Sequence, residues 1–365
     1  MQFKTIFGCL ALCICFVPNS SAADFGKVTS TKVADGVYLF TTTPYADVGL
    51  SGNSVAILSS DGVLVFDSTG TPETAATILA EIRKLTDKPV RYLVNSHWHW
   101  DHWGGNQVYL AAFPALQIIT HEKTRQMMLS VEPRWNEKAL KEDLPQFLND
   151  FEKQIAALKA KNAAPERIKA AEERLAVDRN FLTQKQSLHK TYPNVTFSDS
   201  VTLMMGDREI QILHASAITP GDTYVYLPKE KILITGDILL SPYLFAIGGT
   251  YPAEWLATLK KFAAMEPVVI IPGHGNAETN RDFLQGNIAL FQDVMEQVKD
   301  DKTKGMTAEQ TAEAINKQAS ALAAKIGIDD ADTAEAFKAY FLEVFVKRAY
   351  RELDGPLGDL PDGMR

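Results

Sequence analysis

Short apolar runs separated by Gly, Asp and Pro fill the first part of the chain, and they predict strands. Gly36-Val37-Tyr38-Leu39-Phe40-Thr41-Thr42 is β-branched and aromatic, the side-chain chemistry that fits a pleated surface. Ser54–Leu58 and Gly62–Phe66 flank Ser59-Ser60-Asp61; the Asp-Gly step predicts a hairpin. After Thr71-Pro72 the apolar positions shift to helical spacing at Ile78, Leu79, Ile82 and Leu85. Val90–Asn95 is again a short strand and runs straight into a histidine-rich loop; Leu116–Thr120 is another. Between His121 and about Lys190 the pattern changes. Lys, Glu, Ala, Gln and Leu dominate and glycine is absent. That composition predicts a pair of long helices broken near Ala163-Ala164-Pro165, an insertion or lid whose charges form a solvated face. Strands resume at Val201–Met205, Glu209–Leu213, Thr223–Leu227 and Lys231–Thr235, and, after a helix over Pro252–Met265, at Val268–Ile271. Asn280–Leu353 reads as helical, with breaks near Gly305 and Gly327. No short repeat appears, which excludes a solenoid. Strand and helix order predicts two sheets with helices outside.

The first 23 residues change the picture of where the protein works. One Lys, an apolar run from Ile6 to Val17 and the small residues of Pro18–Ala23 have the layout of a secretory signal peptide. The run is shorter than the roughly 20 residues a membrane-spanning helix needs. A periplasmic or secreted protein is therefore expected. All three cysteines (Cys9, Cys13, Cys15) fall in this segment, so the remainder has no disulfide, thiol nucleophile or thiolate metal site. The net charge of -8, without a basic stripe, excludes nucleic acid as a partner. Hydrophobic content of 46% is that of a globular protein.

The chemistry concentrates in His97-Trp98-His99-Trp100-Asp101-His102. Three of the seven histidines and an aspartate lie within six residues, directly after a strand. Histidine and carboxylate are metal ligands. On an extended loop His97 and His99 point the same way, while Asp101 and His102 turn to a neighbouring position, so one loop offers ligands to two adjacent metals. Gly104-Gly105 would let the backbone turn behind it.

This segment resembles the His-x-His-x-Asp-His motif of the metallo-β-lactamase superfamily. The resemblance runs from about Val33 to Glu278. Asp67 sits where the family has an aspartate close to the site, Gly236-Asp237 matches its metal-bridging aspartate, and Pro272-Gly273-His274-Gly275 its last histidine ligand. It implies an α+β fold, an αββα four-layer sandwich with the metals at one edge of the two sheets. The expected organisation is a signal peptide (1–23), the sandwich domain (24–280, with the insertion at about 121–190) and a helical C-terminal extension (281–365). The implied ligands are His97, His99, Asp101, His102, Asp237 and His274, for one or two zinc ions, although such ligands also suit iron or manganese.

One position departs from the family. Its usual His-Thr-x-Gly-Asp is here Ile218-Thr219-Pro220-Gly221-Asp222. By carry-over the first metal keeps His97, His99 and Asp237 but loses its third histidine; the second keeps Asp101, His102, Asp237 and His274. Either the first site is weakened or empty, or His214, four residues upstream, reaches in. His121 and His189 read as structural or exposed. Trp98, Trp100 and Trp103 read as packing around the loop, with Trp100 or Trp103 able to wall an apolar pocket. Tyr243, Leu244 and Phe245 are candidate substrate contacts, with core packing the simpler use. The implied reaction is metal-assisted hydrolysis of a small molecule. Zinc lowers the pKa of a bound water to about 7, and Asp101 orients that water for attack on an ester, lactone, thioester or lactam-type bond. An aspartate at position 237 resembles the thioesterase, lactonase, phosphodiesterase and sulfatase branches more than true β-lactamases. The alternative is a catalytically impaired protein of the same fold that serves as a metal-binding or scaffold protein.

Overall fold

The computed structural model describes residues 26–43, 51–241, 244–246 and 249–361, without the side chains at 135 and 332. The leader 1–23 and Tyr243 lie outside them. The first sheet holds β1 (Val28–Ala34), β2 (Val37–Thr42), β3 (Ser54–Ser59), β4 (Gly62–Phe66), β5 (Val90–Val94), β6 (Gln117–His121) and β7 (Val195–Phe197), side by side in that order. β1 to β4 pair antiparallel; from β4 to β7 every pair is parallel. Parallel neighbours need crossovers. These are the helix Pro72–Leu85, then Trp100–Trp103 with Asn106–Ala112, then the whole insertion. The second sheet holds β8 (Ser200–Met205), β9 (Arg208–Ala215), β10 (Asp222–Leu227), β11 (Ile232–Gly236) and β12 (Val269–Pro272) in the order β12-β11-β10-β9-β8. Only β11 and β12 are parallel, joined through the helix Pro252–Ala264.

Period-two alternation makes the layers. Leu64 and Phe66 of β4 face the second sheet, packing with Ile212, Val225, Ile232 and Ile234. Val63 and Val65 face the other way, onto Ala75, Ile78, Leu79 and Ile82 of the helix Pro72–Leu85. Thr71 caps that helix by accepting from the Thr74 N–H, and Pro72 occupies its first turn, where a missing N–H costs nothing. The outer face of the second sheet (Tyr224, Leu233, Ile270) is covered by Trp255 and Phe262 and by Phe291, Phe341 and Phe345 of the C-terminal helices. The result is a helix–sheet–sheet–helix sandwich. The C-terminal helices share one hydrophobic core with the sheet they cover, and each fully buried large apolar side chain there contributes about 1.5–3 kcal/mol. Gly305 and Gly327, at φ +79° and +80°, stand between successive helices of this region.

The insertion opens with Glu122–Ser130 and Glu132–Lys138, passes a π turn at Ala139–Asp143, and continues as a helical hairpin, Leu144–Ala160 and Pro165–Gln186. Leu148, Phe151, Ile155 and Leu175 fill the hairpin seam. Two strands carry no sequence signal. β1 is an edge strand, largely exposed, so its sequence Val-Thr-Ser-Thr-Lys-Val-Ala has no buried face to mark it; β7 is only three residues long.

Candidate metal centre

Four strand ends converge at one edge of the sandwich. Asp67 follows β4, His97 to His102 follow β5, Asp237 follows β11 and His274 follows β12. These are the carboxyl ends of strands with parallel neighbours, where open α/β sheets form crevices. The loop after β5 uses both backbone geometries available to it. His97 and His99 alternate on an extended stretch, and the intervening Trp98 is buried on the opposite side with Trp103, Met127 and Met128. The chain then coils into a single helical turn, Trp100–Trp103, which swings Asp101 and His102 to the adjacent position. Gly104 and Gly105 have ordinary φ angles of -59° and -91°. They are needed for close approach rather than for a tight turn, because a Cβ at either would lie 2.3 Å from the Gly70 carbonyl oxygen or 2.2 Å from that of Ser68.

The polar atoms form one connected cluster. His97 Nε2 lies 2.7 Å from His99 Nδ1 and 3.6 Å from Asp237 Oδ2. His102 Nε2 lies 3.2 Å from Asp237 Oδ1 and 3.4 Å from Asp101 Oδ2; His274 Nε2 lies 3.1 Å from Asp101 Oδ2. Behind them, Asp67 Oδ2 accepts from His102 Nδ1 at 2.8 Å, and Asp67 Oδ1 accepts from the Ser96 N–H at 2.7 Å. The bond to Asp67 leaves Nε2 of His102 as the atom that faces inward. Asn53 donates to the carbonyls of Pro272 and Gly275 and so ties β3 to the His274 loop. Two glycines keep the surroundings open: a Cβ on Gly273 would meet Asp237 Oδ1 at 2.1 Å, and one on Gly52 would meet the His102 ring at 2.5 Å.

The electrostatics call for a cation. Asp67, Asp101 and Asp237 are all buried within reach of one another's histidines. Burial pushes the Asp237 carboxyl up, but His102, His274 and His97 together hold it well below the carboxylate range. Asp101 is lowered in the same way, against its burial, by His102 and His274. Burial opposes charge on His102, yet Asp237, Asp101 and Asp67 raise its pKa far above the usual value. His97 is driven down by burial and by its histidine neighbours, and His99 falls to about 4 through burial. A buried carboxylate pair needs a compensating positive charge. The atoms a metal would use, His102 Nε2 and Asp237 Oδ1, are buried without a hydrogen-bond partner among the described residues. Among the described residues, two three-residue groups are close enough to hold an ion: His97, His102 and Asp237, and Asp101, His102 and His274. The donor set and the orphaned atoms fit a divalent metal.

The sequence profile of the metallo-beta-lactamase superfamily matches residues 47–274, well over half of the chain. The chain belongs to the metallo-beta-lactamase superfamily. A metallo-beta-lactamase from Pontibacter korlensis, 18% identical, superposes with a TM-score of 0.52 over 73% of this chain and all of that one, which establishes the likeness of fold. A linear primary-alkylsulfatase from a Pseudomonas species is 22% identical over 270 residues, covering 71% of this chain but 49% of that protein. The chain thus spans about half the length of this curated relative.

Against the superfamily pattern, Ile218 is fully buried in the apolar cluster that also contains Ile238, Leu239 and Leu244. His214 is elsewhere. Its Nε2 donates to the Pro220 carbonyl at 3.1 Å and its ring stacks on His121, 3.8 Å between centroids; neither ion-ready group includes it. His121 is structural: Nε2 donates to the Ser198 carbonyl and Nδ1 accepts from the Lys123 N–H, capping a helix. His189 is exposed. Trp98 and Trp103 pack the loop, with Trp103 Nε1 donating to the Trp98 carbonyl. Leu244 is core, and Phe245 stacks on Tyr340.

The insertion's solvated face needs correction at three positions. Glu132, Asp178 and Lys185 are buried there. Lys185 Nζ lies 3.9 Å above the Trp100 ring, and burial lowers its pKa to about 7. Helical periodicity in a charge-rich run carries no mark for such a residue, and neither Lys185 nor Asn53 belongs to a motif.

Proposed function

We propose that this chain is an exported, metal-dependent hydrolase of a small molecule. The observation that carries the reading is the pair of orphaned buried atoms, His102 Nε2 and Asp237 Oδ1, inside a histidine–aspartate cluster of matching charge. We place one ion with Asp101, His102, Asp237 and His274, and regard the His97–His99 side as incomplete because Ile218 brings no donor. Zinc is the first choice of metal. When bound, such an ion would supply a water acidic enough to act at neutral pH and positive charge to stabilise the departing group. The protein's part is to fix the geometry. Asp67 sets the His102 tautomer, Gly52 and Gly273 leave room, and Asp101 is placed to accept a hydrogen bond from the attacking water. The bond cleaved is an ester, lactone, thioester or lactam-type bond. Similarity to an alkylsulfatase favours a sulfate ester first. The leader at 1–23 supports a periplasmic or secreted location, and among the described residues no helix is long and apolar enough to cross a membrane.

The test is elemental mass spectrometry on protein purified without chelator, loaded with zinc and desalted, followed by assays on a panel of alkyl sulfates, aryl esters, lactones and lactams. The expected content is about one ion per chain, because only one of the two ligand sets keeps all its protein donors. Activity should be lost in His274→Ala by roughly 1,000-fold or more, the scale of removing a metal's contribution. Full activity in His274→Ala, or no zinc retained at all, would sink the proposal.

A further inference from the structure

The insertion sends one charged side chain toward the ligand loop, where it meets an aromatic face. Lys185 lies in the last turn of the helix Pro165–Gln186 and is 4% exposed. Its Nζ is buried and has no hydrogen-bond or ion-pair partner among the described residues. Other lysines of the insertion behave as its composition leads one to expect: Lys141, Lys153 and Lys159 pair at the surface with Glu137, Asp150 and Glu172. The two acids whose charge Lys185 feels most are already engaged. Glu132 takes Lys190 at 2.9 Å and also the Asn136 amide; Asp101 takes His102 and His274. What Lys185 does touch is the face of Trp100, the residue between His99 and Asp101.

A buried ammonium without a partner is costly, and a cation–π contact returns only part of that cost. An apolar side chain of similar length would serve packing better at this point. The remaining explanation is an anion that arrives. The lysine stem has four rotatable bonds, so the ammonium is able to leave the ring for a group beside it. Trp100, His99 and His274 are the half-exposed members of the site, so an entering molecule passes this set. The Trp100 ring packs against Phe181, Phe147, Leu140 and Leu182 in an apolar cluster, with its own face partly exposed.

We propose that Lys185 is a substrate-positioning residue: its ammonium rests on Trp100 in the free protein and takes the oxyanion group of a substrate whose apolar body lies against Trp100. This deepens the hydrolase reading and rests on it. The insertion is then a specificity element that sorts anionic from neutral substrates, while the metal cluster does the chemistry.

Lys185→Met keeps the stem and removes the charge, a change that buried sites tolerate. In zinc-loaded protein, with p-nitrophenyl sulfate and p-nitrophenyl phosphate against neutral p-nitrophenyl acetate, Lys185→Met should raise KM for the anionic substrates about 10- to 100-fold, the worth of one charged hydrogen bond. Metal content, kcat and the acetate reaction should stay put, and Lys185→Arg should restore most of the loss. Equal losses on acetate, or an unchanged KM for the anions, overturn the proposal. A second readout does not need turnover. Inorganic sulfate, titrated into the zinc-loaded protein, should draw the ammonium off Trp100 and give a saturable change in tryptophan fluorescence that Lys185→Met lacks. That change without turnover of any substrate would overturn the hydrolase reading and keep Lys185; identical titrations in wild type and Lys185→Met would overturn the role of Lys185.

Discussion

Two groups of histidines sit in this fold and are used in opposite ways. Around the metal cluster, His97, His102 and His274 face the carboxylates of Asp67, Asp101 and Asp237, and the inward nitrogen of His102 has no hydrogen-bond partner among the described residues. Between the insertion and the second sheet, His121 and His214 stack face to face, and their bonded nitrogens meet backbone: the carbonyls of Ser198 and Pro220 and the N–H of Lys123. Carboxylates around a ring leave it able to bind a cation, whereas backbone partners turn it into a neutral bracket. The neighbours, more than the histidine itself, decide the role. The loop carrying Ile218 connects the two groups. Asp222 holds it by accepting from the N–H groups of Ala217 and Thr219, and its Pro220 carbonyl is the one that engages His214.

The sharpest way to disturb this division is to return a donor to the loop. Ile218→His should raise zinc content from about one ion per chain to about two, by giving His97 and His99 the third ligand of a tetrahedral set. The same change puts an imidazole where apolar contacts now lie, so the metal-free variant should be less stable by about 1–3 kcal/mol. Added zinc should recover that loss. Elemental analysis and melting with and without zinc read both effects. A variant that stays at one ion would show that something other than the missing donor limits the first position.

A smaller effect is expected at Asp67, which organises the cluster from behind. Asp67→Asn should weaken zinc binding about 10- to 100-fold, the usual scale for such a partner, as measured by competition with a chromogenic chelator. An unchanged affinity would mean that His102 is oriented by packing alone. Asp67 also shows what the sequence reveals. It stands at the end of an apolar strand, and so do the His97–His102 loop, Asp237 and His274, so strand ends in a fixed order made both the sandwich and the cluster legible. The residues that escaped notice act across long separations. Lys185 is recognisable only once the insertion helix is folded against Trp100, because the same residue in a run of Lys and Glu reads as surface. Asn53 bonds to carbonyls more than 200 positions away, a contact that no local pattern encodes. β1 lacks a buried face, so periodicity has nothing to detect there. Why His214 is no ligand was equally hidden, since its stacking partner lies on a different sheet.

The smallest effect concerns the backbone-bonded pair and separates it from the metal cluster by pH. Burial, reinforced by the neighbouring ring, lowers the pKa of His121 to about 4, and burial also lowers that of His214. Both therefore titrate below the unfolded value of about 6.5. When a folded pKa is depressed, the unfolded chain binds more protons in the interval between the two values, so stability rises with pH there. The contribution of His121 is complete above pH 6.5 or so and drains away as the pH falls toward about 4. For His121 it amounts to about 1–2 kcal/mol. His121→Asn retains an N–H donor for the Ser198 carbonyl but cannot take up a proton, so its melting temperature should fall less than that of wild type between pH 7 and pH 4.5. The comparison is made on chelated protein, where the cluster's own titration is common to both chains and cancels in the difference. A wild type that gains stability relative to His121→Asn as the pH drops would mean that the stacked pair accepts a proton within the fold, and that carboxylates are not what distinguishes the two histidine groups.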